Sequence, residues 1–275
     1  MAIPGNACQN SFRFESWTVE SKKSHILQSR CTEDSCKTIN DEKCALENAS
    51  LCDFCLYETK LELPQLPEMT FAGNILTLNH DSAFGIEFNA LDALLMVDSK
   101  HDNMKVAIAE AWQESRMENS KIKDVVKPFD WTYTTHYKGT LFGNTEKIKI
   151  SQTEERIDLE KLKVKSKILF YEDLILFEDE LADNGTAQYS VKIRIMPDSF
   201  FILLRFFLRV DNLLVKIIDT RYFYEVGKKY ILREHMTRES KIKDLNVPLQ
   251  LLRNPQELWE HLPKVAFEYE KLEIQ

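Results

Sequence analysis

Five consecutive apolar runs fill the stretch from Ile168 to Thr237: ILFYEDLILFEDEL, YSVKIRIM, FFILLRFFLRV, LLVKIIDTRYFYE and YILREHMT. Asn184-Gly185, Asp211-Asn212 and Gly227 fall between successive runs, and such residues supply the positive φ angles of tight hairpins. Met196-Pro197 makes the other break, because proline cannot donate to a ladder. The pattern predicts a long antiparallel meander. In the third run, strand geometry sends Phe200, Ile202, Leu204, Phe206 and Leu208 to one face. The other face takes Phe201, Leu203, Arg205, Phe207 and Arg209. One face is wholly apolar and belongs to a core. The other is apolar with two arginines, which fits a central strand whose second face is covered or floors a cleft.

Upstream, Asn74 to His80 alternates apolar and polar residues, and Asp81-Ser82 can turn it back into Phe84 to Phe88. Asn89 reads as a helix cap before Ala90 to Val97. A further helix starts at His101 to Asn103, with Met104, Ile108, Ala111 and Trp112 as its buried stripe. Asp130 to Tyr137 is β-branched and aromatic and predicts a strand, which Gly143-Asn144 turns into Lys147 to Ser151. A short helix is expected near Leu159 to Val164, and Asn254-Pro255 opens another. The fold class that follows is α+β, mainly antiparallel β. Two packed sheets, a long meander in the C-terminal half and peripheral helices make up the architecture. Residues 1–275 read as one domain carrying a surface insertion at 31–60. That insertion holds five of the six cysteines and one helix near Asp41 to Tyr57, with Leu51, Phe54 and Cys55 on one face.

The formal net charge of -8 argues against nonspecific nucleic-acid binding, which needs a basic footprint. It argues equally against anionic membrane surfaces. The most apolar stretch, Ser199 to Ile218, carries Arg205, Arg209, Asp211 and Lys216, so it is not a spanning helix. Met1 to Asn10 lacks the charged start and apolar run of a signal peptide. All six cysteines lie in the first 55 residues, which fits a reducing compartment better than a disulfide-stapled fold.

Catalytic patterns are absent: no G-x-S-x-G, no H-E-x-x-H and no phosphate-cradling glycine loop. Cys52-x-x-Cys55, with Cys31, Cys36 and Cys44 upstream, raises the question of zinc, but the other cysteines form no second close pair of the usual spacing, and the pattern reads as a small apolar helix face in the insertion. Asp179 to Gly185 lacks the alternating oxygens of a calcium loop and reads as a hairpin turn. None of the six histidines is paired at ligand spacing. No cofactor and no metal are expected. Trp131, Tyr133, Tyr137, Arg205, Arg209, Arg221 and Tyr222 combine aromatic anchors with guanidinium forks, the residue types of protein-recognition surfaces. The competing reading makes them core aromatics, with arginines paired to the many acids.

Several strings, in order along the chain, resemble the TIPRL family of regulators of TOR signalling. They are LPEMTF at Leu66 to Phe71, FGIEFNALDAL at Phe84 to Leu94, AEAWQESR at Ala109 to Arg116 and KPFDWTYTTHYKGTL at Lys127 to Leu141. LFEDELADNG at Leu176 to Gly185, SVKIRIMPDSFFILLRFFLRVD at Ser190 to Asp211, DTR at Asp219 to Arg221 and LREHMTRESKI at Leu232 to Ile242 follow. The resemblance implies a cytoplasmic, non-enzymatic regulator of type 2A-family Ser/Thr phosphatases. Its implied partners are the catalytic subunits of phosphatase 2A and its type 4 and type 6 relatives, with a cleft receiving the phosphatase C-terminal tail. A monomer that binds neither nucleic acid nor membrane is expected.

The resemblance also implies partner-binding roles at Asp92, Ile157, Ile217 and Asp219, where Ile217 stands at a position some members fill with Met. Each has a structural rival. Asp92 lies three residues after the cap and complements the helix dipole. Ile157 reads equally as a core residue, and Asp219 as a partner for Arg221 or a turn. The segment from Cys31 to Lys60 is longer than the family pattern leads one to expect. The alternative functions are a general scaffold for another partner, and a hydrolase using scattered carboxylates or His136.

Overall fold

The computed structural model describes residues 8–31, 52–61, 63, 65–97, 132–181 and 183–275. The meander forms where the apolar runs place it. β8 (Phe170–Asp179), β9 (Gly185–Met196), β10 (Ser199–Val210), β11 (Leu214–Glu225) and β12 (Tyr230–Lys241) pair antiparallel in chain order. β13 (Lys264–Ile274) extends this sheet beyond β12, and β7 (Ile148–Gln152) follows it. The two-residue β3 (Met69–Thr70) forms the opposite edge, next to β8. The second sheet runs β1 (Cys8–Phe14), β2 (Trp17–Lys23), β4 (Ile75–His80), β5 (Phe84–Phe88) and β6 (Thr140–Gly143), again antiparallel.

The two sheets pack face to face through one aromatic-rich core. Phe200, Ile202, Leu204 and Phe206 of β10 are wholly buried, as the alternation requires. Across the core, the Trp17 ring meets Phe200 at 5.7 Å and Tyr224 at 6.0 Å, while Phe88 meets Tyr222 at 5.7 Å. These near-perpendicular rings set positive edges against negative faces. A register irregularity in β8 between Ile175 and Phe177 lets the adjacent Leu176 and Phe177 both be buried.

Turn chemistry closes the hairpins. Asn212 and Gly227 sit at φ of 61° and 86°, the left-handed region that β-branched residues avoid. Gly143, at φ 75°, ends β6 so close to β5 that an added Cβ would lie 2.4 Å from the Ala83 carbonyl oxygen.

Helices decorate the sandwich: α1 (Asp53–Lys60), α2 (Ala90–Leu95), α3 (Leu159–Lys163) and α4 (Pro255–Leu258). Asn89 caps α2 by accepting the Asp92 amide at 2.8 Å, and Asn254 caps α4 through the amides of Gln256 and Glu257. α1 takes in the Asp53 to Tyr57 part of the helix expected over Asp41 to Tyr57 and runs on to Lys60. Residues 41–51, and the helix expected from His101, lie outside the described residues. α1 buries Tyr57, and Leu61 behind it, in the main core. No helix among the described residues is long and apolar enough to cross a membrane.

The segment expected as a strand over Asp130 to Tyr137 is the main correction. Its described part, Thr132 to Tyr137, has no ladder partner. Tyr133 takes φ 57°, which breaks the pleat. Side chains anchor the backbone there instead. Thr135 Oγ1 donates to the Ala93 carbonyl (2.8 Å), and Tyr189 donates to the Tyr137 carbonyl (2.7 Å). Tyr222 donates to the Lys138 carbonyl. The β-branched and aromatic residues that suggested a strand are here because they fill the space between elements. Nor does Gly143-Asn144 close a hairpin: β6 pairs with β5 in one sheet and β7 with β13 in the other, so the chain crosses between sheets.

The two faces of β10 should respond differently to truncation. Phe200→Ala is expected to lower unfolding free energy by roughly 3–5 kcal/mol, a cavity cost in a filled core. Phe201→Ala, on the half-buried outer face, should cost less than half of that. Urea denaturation of the two variants checks both; equal losses would contradict the assigned faces.

Candidate functional site

Strand parity puts Arg205, Asp219, Arg221, Glu234 and Arg238 on the outer face of the large sheet, while Thr220, Arg233, His235 and Thr237 take the inner parity. Register places Arg205 beside Asp219 and Asp219 beside Met236. On the same face Arg221 lies opposite Glu234, and Ile217 opposite Arg238. The Arg205 guanidinium grips Asp219 with two parallel bonds, both 2.7 Å. Arg221 adds a third to the same carboxylate at 3.1 Å. Asp219 has no exposed surface, so its charge is balanced wholly by these arginines.

Trp259, which follows α4, closes over this group. Its ring lies 5.5 Å from the Arg205 guanidinium carbon and 4.6 Å from those of Arg221 and Arg238. Arg238 fixes the segment by donating to the carbonyls of Trp259 (2.9 Å) and Leu262 (2.6 Å). Burial, and then the charge of Arg221, hold the Arg238 guanidinium below its ordinary range. Phe207, Val215, Ile217 and Met236 pack beneath with Leu252, Leu258 and Leu262. Three guanidiniums therefore surround one indole with a single shared carboxylate, and Arg221 keeps 12% of its side chain open. An anionic group arriving here would meet a preorganised cationic fork.

Further along the same face, Ile157 is buried with Phe223 and Leu232. Its amide donates to Glu234 at 2.9 Å. A cleft of about 70 Å³ opens beside it, lined among others by Arg156, Asp158, Lys161, Lys228 and Tyr230. Arg156 lies over the Tyr269 ring at 3.4 Å.

The expected site residues thus divide into groups. Ile157, Ile217, Asp219, Arg205 and Arg221 share one face. Ile217 and Asp219 lie buried beneath it, and Ile157 is buried too. Arg209 lies at the end of the same strand, paired with Asp211 at 2.7 Å. Asp92 belongs elsewhere, at the start of α2, where Asn89 and Thr140 donate to its carboxylate. Tyr133 is a core residue against Phe177. Trp131 lies outside the described residues. Sequence reasoning missed Trp259, Arg238 and Glu234. The only signal for them was parity within β12 and a lone tryptophan after a helix start, neither of which names a partner.

Two histidines 99 positions apart also meet. His136 Nδ1 and His235 Nε2 are 3.3 Å apart, and His235 Nδ1 lies 2.8 Å from the Thr220 hydroxyl. Burial, then Lys138 and His136, push His235 down to about 4, and burial with Lys216 and Lys138 lowers His136. Among the described residues the gathering of metal-ligating side chains is Cys31, Cys52 and Cys55, and it includes none of the outer-face residues.

An antiparallel β sandwich whose outer sheet face gathers three arginines around one tryptophan carries the residue types of a recognition surface. The chain matches the model of the TIP41-like family over residues 69–246. It is 47% identical to the human TIP41-like protein, spanning 99% of this chain and 93% of that one. It is 35% identical to the type 2A phosphatase activator TIP41 of Saccharomyces cerevisiae, over 93% of this chain and 68% of the yeast protein. Its identity to the type 2A phosphatase activator tip41 of Schizosaccharomyces pombe is 30%, over 82% and 80% of the two chains. The chain belongs to the TIP41-like family.

Asp219→Leu is expected to cost roughly 3–5 kcal/mol in a denaturation experiment, because it strands the buried Arg205 guanidinium and takes a carboxylate from the partly open Arg221. A change under 1 kcal/mol would refute the buried-pair account. His235 generates a pH dependence. Its folded pKa is depressed, so the unfolded chain takes the proton first, near pH 6.5. Stability is complete above that pH and is lost as pH falls toward 4, by up to roughly 3 kcal/mol. Denaturation curves between pH 4 and 7 should show this loss, and His235→Gln should reduce the slope, leaving the smaller part that His136 contributes.

Proposed function

We propose that this chain is a non-enzymatic regulator that binds the catalytic subunits of type 2A-family Ser/Thr phosphatases and alters their assembly or activity in TOR signalling. The observation that carries the reading is the cationic aromatic face on a chain whose yeast relatives are named type 2A phosphatase activators. A phosphatase C-terminal tail ends in a carboxylate, and Arg221 with Arg238 over Trp259 offers the fork and the ring that would hold it. A tail held there is withheld from other subunits and from carboxyl modification, so assembly changes without covalent chemistry on the regulator.

Absence of catalysis is supported by how the buried acids are used. Asp219 is engaged by Arg205 and Arg221, Glu234 by the Ile157 amide, and Glu270 by Arg233 at 2.7 Å. His235, the partner of His136, is held neutral against Thr220. In this reading the chain acts as one domain and as a cytoplasmic monomer, and it serves the type 4 and type 6 catalytic subunits as well as phosphatase 2A. Asp92, on α2, belongs to a second contact with the catalytic body, separate from the tail face.

The decisive measurement is affinity for the phosphatase 2A catalytic subunit, intact and lacking its tail. Arg221→Gln, at a partly open residue whose loss leaves Asp219 held by Arg205, should weaken binding to the intact subunit at least tenfold. It should leave affinity for the tail-less subunit unchanged. Equal affinity of the wild-type chain for both subunits would reject the tail face. No binding by a well-folded chain to any of the three phosphatases would reject the function.

A further inference from the structure

Cys52 is the N-cap of α1, and Cys55 lies three residues on, so both sulfurs emerge at the same end of the helix. Cys31, which follows the segment after β2, comes alongside them. Its sulfur is 3.7 Å from that of Cys52, and the three sulfurs all lie within 4.8 Å of one another. Thiolates bound to one Zn2+ at about 2.3 Å stand roughly 3.8 Å apart along the edges of a tetrahedron. The trio is therefore already near the spacing that a shared ion would set. A pair search along the sequence could not find it, because Cys31 reaches the Cys-x-x-Cys pair only through the fold.

We propose that Cys31, Cys52 and Cys55 form a thiolate site for a borderline-soft divalent cation, with Zn2+ as the natural occupant. Three sulfurs fill three tetrahedral positions, and water or a further donor takes the fourth. On binding, three S–H bonds are lost and three S–metal bonds form. Three protons leave for solvent and no electrons are transferred, so affinity rises with pH. Cys55 is buried while Cys31 and Cys52 are half-buried, which leaves an entry side. The N-terminal end of α1 adds the positive end of its peptide dipoles beside the anionic cluster.

The ion has a structural task. Cys31 and Cys52 are 21 positions apart, so a shared metal closes the chain between them into a loop. It also pins the start of α1, whose Tyr57 is 2% exposed in the main core. The metal site thus steadies a helix that is anchored in the main core through Tyr57 and Leu61.

The test uses the full-length chain purified with reductant and without chelator. Elemental analysis should find one zinc per chain. Titration of the metal-free, reduced protein with Co2+ should give the near-ultraviolet thiolate-to-cobalt band, saturating at one ion. Cys31→Ser and Cys55→Ser should each weaken Co2+ binding at least tenfold, while Cys8→Ser, an exposed cysteine on β1 outside the trio, should not. A reduced wild-type chain that holds no zinc and develops no thiolate–cobalt band overturns the site, whatever the variants do. Full Co2+ affinity in a Cys31→Ser, Cys55→Ser double variant overturns it too. So does an intact mass showing a Cys31–Cys52 disulfide, and no metal, in protein kept under reductant.

Discussion

Burial of the inner face of β10 against the five-stranded sheet is the constraint from which the rest follows. A strand has period two, so once Phe200, Ile202, Leu204 and Phe206 are inside, Phe201, Arg205 and Phe207 must be outside. Antiparallel register carries the same parity into β11 and β12. It puts Ile217, Asp219, Arg221 and Phe223 on the outer face, with Leu232, Glu234, Met236 and Arg238 beside them. A one-residue slip in any of these strands would bring guanidiniums into the aromatic core. The apolar pattern that secures the fold therefore also secures the position of the candidate site.

The outer face then has an electrostatic problem, which it solves locally. Arginines half withdrawn from water need acceptors, and Asp219 supplies two of them with one carboxylate. The remaining positive charge is met by the face of Trp259. Burying these ions costs more hydration than their pairing returns unless the geometry is good, so such a cluster contributes specificity more than stability. It holds Arg221 in a set orientation at the edge of the group. Asp219 and Ile217 lie beneath this group, where they support the arginines and the packed C-terminal segment.

Much of this fold was legible in local pattern. The strands and turns of β8 to β12, the Asn89 and Asn254 caps and the parity of β10 all follow from short-range chemistry: alternation, positive-φ residues and side-chain capping. What failed was the reading of Thr132 to Tyr137. Its composition satisfies strand propensity, yet its backbone is held by Thr135, Tyr189 and Tyr222 rather than by a ladder. Propensity registers fit to a crowded, half-buried surface, and a segment wedged between elements offers the same fit as a sheet. Gly143-Asn144 misled for a related reason: a turn residue shows that the chain reverses, and does not show which strand it joins.

By itself the sequence determined the mainly antiparallel architecture, the faces of the central strands and the family, because these rest on periodicity and on long ordered strings. Only the tertiary structure decided which residues meet. It drew Ile157, Ile217 and Asp219 beneath the surface, set Trp259 over three arginines, paired His136 with His235 and brought Cys31 to Cys52 and Cys55. The reason is physical. Side chains 20 to 100 positions apart become neighbours only when two sheets bury a common core, and the free energy of that burial is collective. No single residue in the chain carries the information alone.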